Sequence, residues 1–372
     1  MAIPLVNSVA SWVLKKRFHQ IDLFLKYPHE VQNELLMTLL TISKDTEIGK
    51  IYDFKSIRNY REFSQRVPVS TYEDYQNLIE RSRKGEHNIF WSKPIKWFAK
   101  SSGTTGAKSK FIPVSSNSLE DCHYAASKDL LCMYLNNNEG STLFNGKNLR
   151  LGGSKELYEE NGTIFGDLSA IITENLPFWA DYSSAPSQEV ALMSEWETKM
   201  EAIIDETINE NMSVISGIPS WVQMYFEKLS AKANKPVGEI FKNFNLFIYG
   251  GVNYEPYRAK FENLIGRKVD SIELFPASEG FFAYQDSQKE KGMLLLLNSG
   301  IFYEFIKADE FFTENPKRYT IGEVEIGVNY VLIISTNAGL WAYNIGDTIQ
   351  FTGLKPYRVI VSGRIKHYIS AF

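Results

Sequence analysis

The sequence predicts an α/β fold with mainly parallel sheets flanked by helices, plus an antiparallel sheet or small barrel near the C-terminus. Three observations support this prediction. Residues 1–90 place apolar side chains at helical spacing. Residues 212–277 alternate apolar runs with helical segments, which favours parallel strands joined by helices. From residue 292 onward, short apolar runs are separated by turns, which is typical of antiparallel strands. At 372 residues the chain is long enough for two lobes or one large domain.

The N-terminal helices have recognisable boundaries. The segment "PHEVQNELLMTLLTIS" (28–43) repeats leucine at helical spacing, and "STYEDYQNLIERSRKG" (70–85) has Ser70 or Thr71 as its N-cap and ends near Gly85. A further helix is expected to begin at Asn117 or Ser118.

The central segments repeat a strand, a turn and a helix. In residues 212–233 a strand leads to a Gly217 turn and a helix that begins at Pro219. In residues 244–266 a strand leads to Gly250–Gly251 and a helix from about Pro256. Ligands of parallel sheets bind at the carboxyl ends of strands, so these turns are candidate binding loops.

The C-terminal run contains two turn sequences that predict hairpins. They are Asn298-Ser299-Gly300 and Asn337-Ala338-Gly339. A strand over 272–275 is expected to end in the turn that contains "ASEG".

The composition limits the function classes. Hydrophobic residues are 44% and charged residues 23% of the chain, which excludes a wholly disordered protein. A net charge of −4 without a dense basic stretch argues against a nucleic-acid partner. Cys122 and Cys132 lie ten residues apart in an expected helix and are expected to be buried thiols in a cytoplasmic protein. For residues 1–18 an amphipathic helix packed on the body is favoured over a membrane anchor.

The segment "KSSGTTGAKSKF" (100–111) has the composition of a phosphate-binding loop. Small and hydroxyl residues leave backbone N–H groups accessible to an anion, and lysines add positive charge. Ser102 and Ala107 exclude the P-loop pattern, and an ordinary polar turn remains the alternative. The candidate anion ligands are Ser101, Ser102, Gly103, Thr104, Thr105, Gly106, Lys108 and Lys110.

Four further segments are expected on or beyond loops that follow strands: "YGG" (249–251), "FPASEG" (275–280), "YNIGD" (343–347) and "SGRIK" (362–366). In this order, and together with "TNAGLWAYNIGDTIQFTG" (336–353), they resemble the adenylate-forming ligase superfamily. The closer resemblance is to the auxin-responsive-promoter family of acyl acid amido synthetases, in a bacterial version, and it covers essentially the whole chain.

The resemblance implies a two-step reaction that uses ATP and Mg²⁺. A carboxylic acid would attack the α-phosphate of ATP to give an acyl-adenylate, and an amine, usually of an amino acid, would then displace AMP. It also implies the N-terminal domain of an adenylate-forming ligase over residues 1–362, with 1–291 α/β and 292–362 mostly antiparallel. Residues 363–372 would form a hinge, and a small C-terminal domain would be absent, as expected for part of a longer protein.

The resemblance also implies a role for each motif residue. The loop 101–106, with Lys108 or Lys110, would hold the β- and γ-phosphates. Glu279 would bind Mg²⁺, and Lys366 would lie at the hinge. The remaining nucleotide contacts would be Gly250 and Gly251 near adenine, Phe275 stacked on it, Ser278 at a phosphate, Tyr343 beside Asp347, and Asp347 and Arg364 at the ribose.

The resemblance implies an acyl pocket lined by three aromatic segments, at residues 175–182, 217–226 and 300–306. Trp179, Trp221 and Met224 are the expected wall residues, with core packing as the alternative. No arginine in these segments suits the substrate carboxylate, so that contact stays unassigned. Two other functions remain open: a ligase that forms thioesters with coenzyme A or a carrier protein, and a domain that binds nucleotide and acid with little turnover.

Overall fold

A computed structural model describes residues 17–101, 109–152, 157–176 and 183–368 of the protein. In this part of the chain the strands form a small sheet with the order β2-β1-β5-β4 and a large one with the order β12-β13-β14-β15-β11-β10-β9-β8-β7-β3-β6. The strands are β1 Trp97–Ser101, β2 Lys110–Val114, β3 Lys147–Leu151, β4 Tyr158–Glu160, β5 Thr163–Gly166, β6 Ser184–Ala185, β7 Met212–Gly217, β8 Leu246–Gly250, β9 Asp270–Ala277, β10 Gly280–Tyr284, β11 Met293–Leu295, β12 Ile301–Lys307, β13 Asn329–Thr336, β14 Tyr343–Leu354 and β15 Tyr357–Arg364.

Helices cover both faces of the large sheet and its N-terminal side. They are α1 Phe18–Lys26, α2 Pro28–Ser43, α3 Glu47–Ile51, α4 Tyr60–Arg66, α5 Tyr72–Arg83, a π-helix Ser118–Tyr124, α6 Ala125–Asn137, α7 Leu168–Glu174, α8 Gln188–Ala191, α9 Trp196–Thr207, α10 Pro219–Ala233, α11 Val237–Ile240, α12 Glu255–Ile265 and α13 Ile365–Tyr368. The predicted helices at 28–43, 70–85 and 219–233 are confirmed. Their ends follow from local chemistry, as at α5, where Thr71 and Asp74 form a capping box.

The parallel half of the large sheet consists of β6, β3, β7, β8 and β9. Buried aromatic and aliphatic residues of α10 and α12 pack on one face of it, where Phe261 contacts both Phe247 and Phe226. This arrangement confirms the predicted alternation of strands and helices. It also brings the carboxyl ends of β3, β7, β8 and β9 to one edge.

The antiparallel half corrects one prediction, because it is not a separate sheet. After β9 the chain reverses at Ser278–Glu279, and β10 pairs with β9 in antiparallel register. The ladder then continues through β11 and β15 to β14, β13 and β12. A two-residue turn changes the strand direction without ending the sheet. One ladder therefore joins both halves.

The two predicted hairpins differ in outcome. The turn at 337–339 joins β13 and β14, which are paired, so this hairpin is confirmed. The prediction for 298–300 is wrong, because this turn joins β11 to β12, and β12 lies at the far end of the sheet beside β13. Turn composition indicates a reversal but not which strand the reversed chain will pair with.

The helix expected from residue 117 begins as a π-helix at Ser118–Tyr124 and continues as α6. Cys122 and Cys132 are both buried and are not in a disulfide, as predicted. Among the described residues, no helix is both long and apolar enough to span a bilayer. The segment 1–16, for which a packed amphipathic helix is expected, lies outside the described residues.

Candidate functional site

The candidate phosphate loop connects the two strands of the β1–β2 hairpin. Ser101 pairs with Lys110 at the end of this hairpin. The Lys110 ammonium lies 5.2 Å from the ring centroid of Tyr72, and the Phe111 N–H donates to the Tyr72 hydroxyl at 3.0 Å. Helix α5 therefore holds the C-terminal end of the loop. The predicted ligands Ser102, Gly103, Thr104, Thr105, Gly106 and Lys108 lie outside the described residues.

Ser278 and Glu279 form the two-residue turn between β9 and β10. The backbone around this turn is tightly packed. A Cβ on Gly280 would lie 2.5 Å from the Ile301 Cδ1 atom, so a larger residue there would have to displace that side chain. The Phe281 N–H donates to Cys122 Sγ at 3.1 Å, which ties the turn to the π-helix. Because its neighbours are fixed, the Glu279 carboxylate is presented from a rigid position.

Charged groups from distant segments converge around Glu279. Burial raises the pKa of Glu279 to about 7; the negative charge of Asp347 adds to this shift, while Lys110 and Arg364 oppose it. The side chain is nevertheless partly exposed. A carboxylate that is poorly solvated, yet accessible, is well suited to bind a cation that approaches from solution.

Asp347 and Arg364 form an ion pair across two neighbouring strands. They are opposite each other in the β14–β15 register, with 3.2 Å between Arg364 Nε and Asp347 Oδ1. The Asp347 side chain is 15% exposed and that of Arg364 is 44% exposed. Burial raises the pKa of Asp347, and Arg364 opposes that shift. This pair thus combines a mostly buried carboxylate with a partly exposed guanidinium.

The prediction that residues 343–347 lie on a loop is wrong. These are the first residues of β14. Gly346 has φ +88°, which only glycine adopts at low cost, and its N–H donates to Asn344 Oδ1 at 2.8 Å. This kink at the start of the strand positions Asp347. Residues 362–364 are the end of β15.

Tyr343 joins the N-terminal helices to this site. It is 1% exposed and packs edge-on against Tyr75 of α5, with 6.1 Å between the ring centroids. Burial raises the pKa of Tyr343, and the negative charge of Glu279 adds to the shift. The preceding Ala342 has its carbonyl bonded to the Ser70 N–H at 2.9 Å. Tyr343 therefore links α5 to the start of β14, close enough to Glu279 to feel its charge.

The residues expected near adenine lie at the end of β8 and near the end of β9. Gly250 is packed so closely that a Cβ would lie 3.1 Å from the Leu274 carbonyl oxygen. Gly251 has φ +83° and is exposed. Phe275 is only 7% exposed and contacts Phe282, with 5.0 Å between ring centroids. Most of the Phe275 ring is covered by protein, and its stacking on a base stays a prediction.

A cavity of about 310 Å³ lies where β3 and β7 end beside α7. Its lining is mainly aliphatic and includes one arginine, Arg150 of β3. The positive charge of Arg150 partly offsets the burial that raises the pKa of Tyr124 to about 12. Sequence reasoning missed Arg150 because it searched only aromatic segments. The available signal was an arginine inside the short apolar strand "KNLRL" (147–151).

The predicted wall residues lie elsewhere. Trp221 packs against Trp196, with 5.1 Å between ring centroids, and Met224 is 36% exposed. Trp179 lies outside the described residues. Their part in an acyl pocket stays a prediction.

Lys366, predicted at the hinge, is exposed on α13. The pKa of Glu73 is lowered mainly by a hydrogen bond from its own backbone N–H, and the positive charges of Lys110 and Lys366 add to that shift.

The arrangement can hold a polyanion together with a divalent cation. Among the residues the structure describes, no group of three or more His, Cys, Asp or Glu residues forms a metal cage. Mg²⁺ commonly binds one or two protein carboxylates and completes its shell with water and substrate phosphates. Glu279 offers one such carboxylate, and the nearby Lys110 supplies positive charge for phosphate oxygens. Asp347 has the paired oxygens that can accept hydrogen bonds from a diol.

Family comparisons agree with this geometry. The model of the GH3 family N-terminal domain matches residues 17–269, and that of the GH3 family central domain matches residues 294–364. The chain belongs to the GH3 family. The matched regions contain the β1–β2 hairpin in one domain and the Asp347–Arg364 pair in the other. The resemblance found from the motifs is therefore confirmed for the family.

Three similar proteins place this GH3 chain among its relatives. The indole-3-acetic acid-amido synthetase GH3.3 of Arabidopsis thaliana is 22% identical over 87% of this chain and 64% of its own length. The GH3.15 acyl acid amido synthetase has a TM-score of 0.74 at 16% identity, covering 91% of this chain and 68% of the other. An open conformation of 2-hydroxyisobutyryl-CoA ligase has a TM-score of 0.58 at 12% identity, covering 89% and 73%.

The structural likenesses show that this GH3 chain has the adenylate-forming ligase fold, as predicted. The chain spans about two thirds of the length of the two amido synthetases.

Proposed function

We propose that this chain activates a carboxylic acid as an acyl-adenylate, and that the whole protein transfers the acyl group to an amine, such as that of an amino acid, to form an amide. The single observation that carries the proposal is the convergence of Lys110, Glu279 and the Asp347–Arg364 pair from distant segments of a GH3 chain. The names of the relatives, which are amido synthetases, support the same chemistry.

In the first step a carboxylate oxygen attacks the α-phosphorus of ATP, and the bond to pyrophosphate breaks. Lys110 and the loop 101–106 bind the β- and γ-phosphates, so that the leaving charge is held by N–H donors and an ammonium. Asp347 accepts hydrogen bonds from the ribose hydroxyls, and the exposed Arg364 reaches the same sugar. Gly250 and Gly251 allow the backbone to approach the base.

Glu279 is the residue that would hold Mg²⁺, together with phosphate oxygens. The bound ion would supply charge neutralisation along the triphosphate. In the second step the amine nitrogen attacks the acyl carbon and loses a proton, and the bond to AMP breaks. Lys366 marks the hinge at which a further domain would move between the two steps.

The test is acid-dependent exchange of labelled pyrophosphate into ATP by the purified chain, with a panel of carboxylic acids. We expect exchange that requires both acid and Mg²⁺. In Lys110→Met the KM for ATP should rise about tenfold, since one charge-assisted contact is lost. The matched control is Lys100→Met, an exposed lysine on the preceding strand. If no acid supports exchange, or if both variants behave alike, the proposal is wrong.

A second candidate is a ligase that forms thioesters, because the fold is also that of 2-hydroxyisobutyryl-CoA ligase. Both candidates share the first step. The whole protein should therefore be offered an activated acid with either amino acids or coenzyme A. The product mass decides: an amide supports the first proposal, and a thioester supports the second.

A further inference from the structure

The cavity beside α7 has a defined position relative to the candidate nucleotide site. Arg150, Ser216, Ile248 and Ile272 are register neighbours in one row across β3, β7, β8 and β9. Leu274 follows two residues beyond Ile272 on β9, and it lines the cavity together with Arg150 and Ser216. At about 4.8 Å between strands, the backbones of Arg150 and Leu274 are about 15 Å apart. The cavity therefore extends from Arg150 toward the strand that leads to Glu279.

The lining divides into an apolar body and one cationic end. Ile172, Leu192 and Leu274 line the body, and among the described lining residues Arg150 is the charged one. At about 30 Å³ per water-sized atom, the 310 Å³ volume holds about ten non-hydrogen atoms. A ligand with an apolar middle and an anionic end matches this lining in size and charge, because a guanidinium binds carboxylate through two parallel hydrogen bonds.

We propose that Arg150 recognises a second anionic group on the acid, at the end opposite the carboxylate that is activated, so that the substrate class is small dicarboxylic acids. This inference rests on the proposed function and narrows it. The reacting carboxylate lies at the Leu274 end, toward the Glu279 turn, and the second carboxylate pairs with Arg150. A monocarboxylic acid of equal length would place an alkyl group beside the guanidinium and would lack this charge-assisted contact.

The experiment compares adipate, which has ten non-hydrogen atoms, with heptanoate, in which an alkyl end replaces the second carboxylate. Pyrophosphate exchange gives kcat/KM for each acid, and calorimetry gives each acid's Kd without nucleotide. We expect the wild type to favour adipate by about 10- to 100-fold, the range of a desolvated charge-assisted hydrogen bond. Arg150→Met should lose that preference and use heptanoate at least as well as the wild type does. Arg150→Lys should retain part of the preference.

The matched control is Lys147→Met at the other end of β3, where the lysine is paired with Glu210 on the surface. It should keep the preference of the wild type. The inference is overturned if the wild type binds heptanoate as tightly as adipate, a comparison that needs no variant. It is also overturned if Arg150→Met weakens both acids equally, since Arg150 would then act on the shared carboxylate. Absence of exchange with every acid contradicts the proposed function, whereas an Arg150-dependent preference in calorimetry still supports the inference.

Discussion

Two arginine–carboxylate pairs in the antiparallel half of the sheet have opposite characters. Arg318 forms a two-pronged pair with Glu304, at 2.8 and 2.7 Å, and also donates to the carbonyls of Ser64 and Val67. The Glu304 side chain is 0% exposed and that of Arg318 is 10% exposed. Arg364 meets Asp347 through a single 3.2 Å contact and is 44% exposed. The Glu304–Arg318 pair is buried within the protein, and the Asp347–Arg364 pair is partly exposed to solvent.

This difference in exposure distinguishes charged groups that stabilise the fold from charged groups that can bind a ligand. At Glu304 the protein itself provides the donors that replace water, so the pair anchors α4 to β12. Near Asp347 a second carboxylate, Glu279, is held where burial disfavours its charge. Two carboxylates held close together gain from a bound cation or a proton. Each prediction below tests this distinction, in order of decreasing effect.

Arg318→Met should destabilise the fold by about 3–5 kcal/mol, because it leaves the Glu304 carboxylate buried without its partner. Chemical denaturation measures the change in the free energy of unfolding. The surface variant Lys232→Met, whose lysine is half exposed beside Asp205, should cost under about 1 kcal/mol. Equal effects of the two variants would contradict a structural role for the buried pair.

Glu279→Gln should lower the rate of adenylation about 100-fold or more, since an amide binds Mg²⁺ far less well than a carboxylate does. A titration of the exchange rate with Mg²⁺ should show a higher half-saturating concentration. Glu290→Gln, which alters an exposed carboxylate, serves as the control. An unchanged Mg²⁺ requirement in Glu279→Gln would remove Glu279 from the metal site.

The raised pKa of Glu279 predicts how stability depends on pH. In the folded protein the Glu279 carboxyl keeps its proton up to about pH 7, whereas the ordinary pKa of a glutamate is 4.5. The associated stabilisation is thus fully present below pH 4.5 and is lost as the pH rises through about 7. Because the side chain is partly exposed, we expect a loss of about 1–3 kcal/mol. Denaturation without Mg²⁺ or nucleotide should show this loss in the wild type and not in Glu279→Gln.

Asp347→Asn should raise the KM for ATP about tenfold, because a charged acceptor for two hydroxyls becomes a neutral one. The folding stability should change little, since the Arg364 side chain is 44% exposed and remains in contact with water. Asp309→Asn, an exposed site, is the control. The comparison between the two ion pairs would fail if Asp347→Asn destabilised the protein as strongly as Arg318→Met does.

Gly346→Ala should cost about 1–2 kcal/mol, since the left-handed φ of +88° disfavours any Cβ. Gly327→Ala, at φ +78° with open space around it, should cost a similar amount. Only Gly346→Ala should also weaken ATP binding, because the kink positions Asp347. A change in ATP affinity in both variants, or in neither, would contradict that positioning.

The sequence predicted local structure well and strand partners poorly. The helix at 28–43 and the helix that begins at Pro219 were found because capping residues and apolar spacing act within a few turns. The predictions of a hairpin at 298–300 and of a loop at 343–347 are wrong. In both cases glycine indicated a change of direction or a kink, while pairing depended on strands far away in the chain.

The sequence by itself determined the family, the helix boundaries and the identity of motif residues such as Glu279 and Asp347, because these depend on residue type and local order. Only the tertiary structure decided that the two halves share one sheet, that Asp347 pairs with Arg364, and that Arg150 lines a cavity. The physical reason is that register and burial arise from contacts between distant segments. An arginine in a short apolar strand has no functional meaning until its neighbours across the sheet are known.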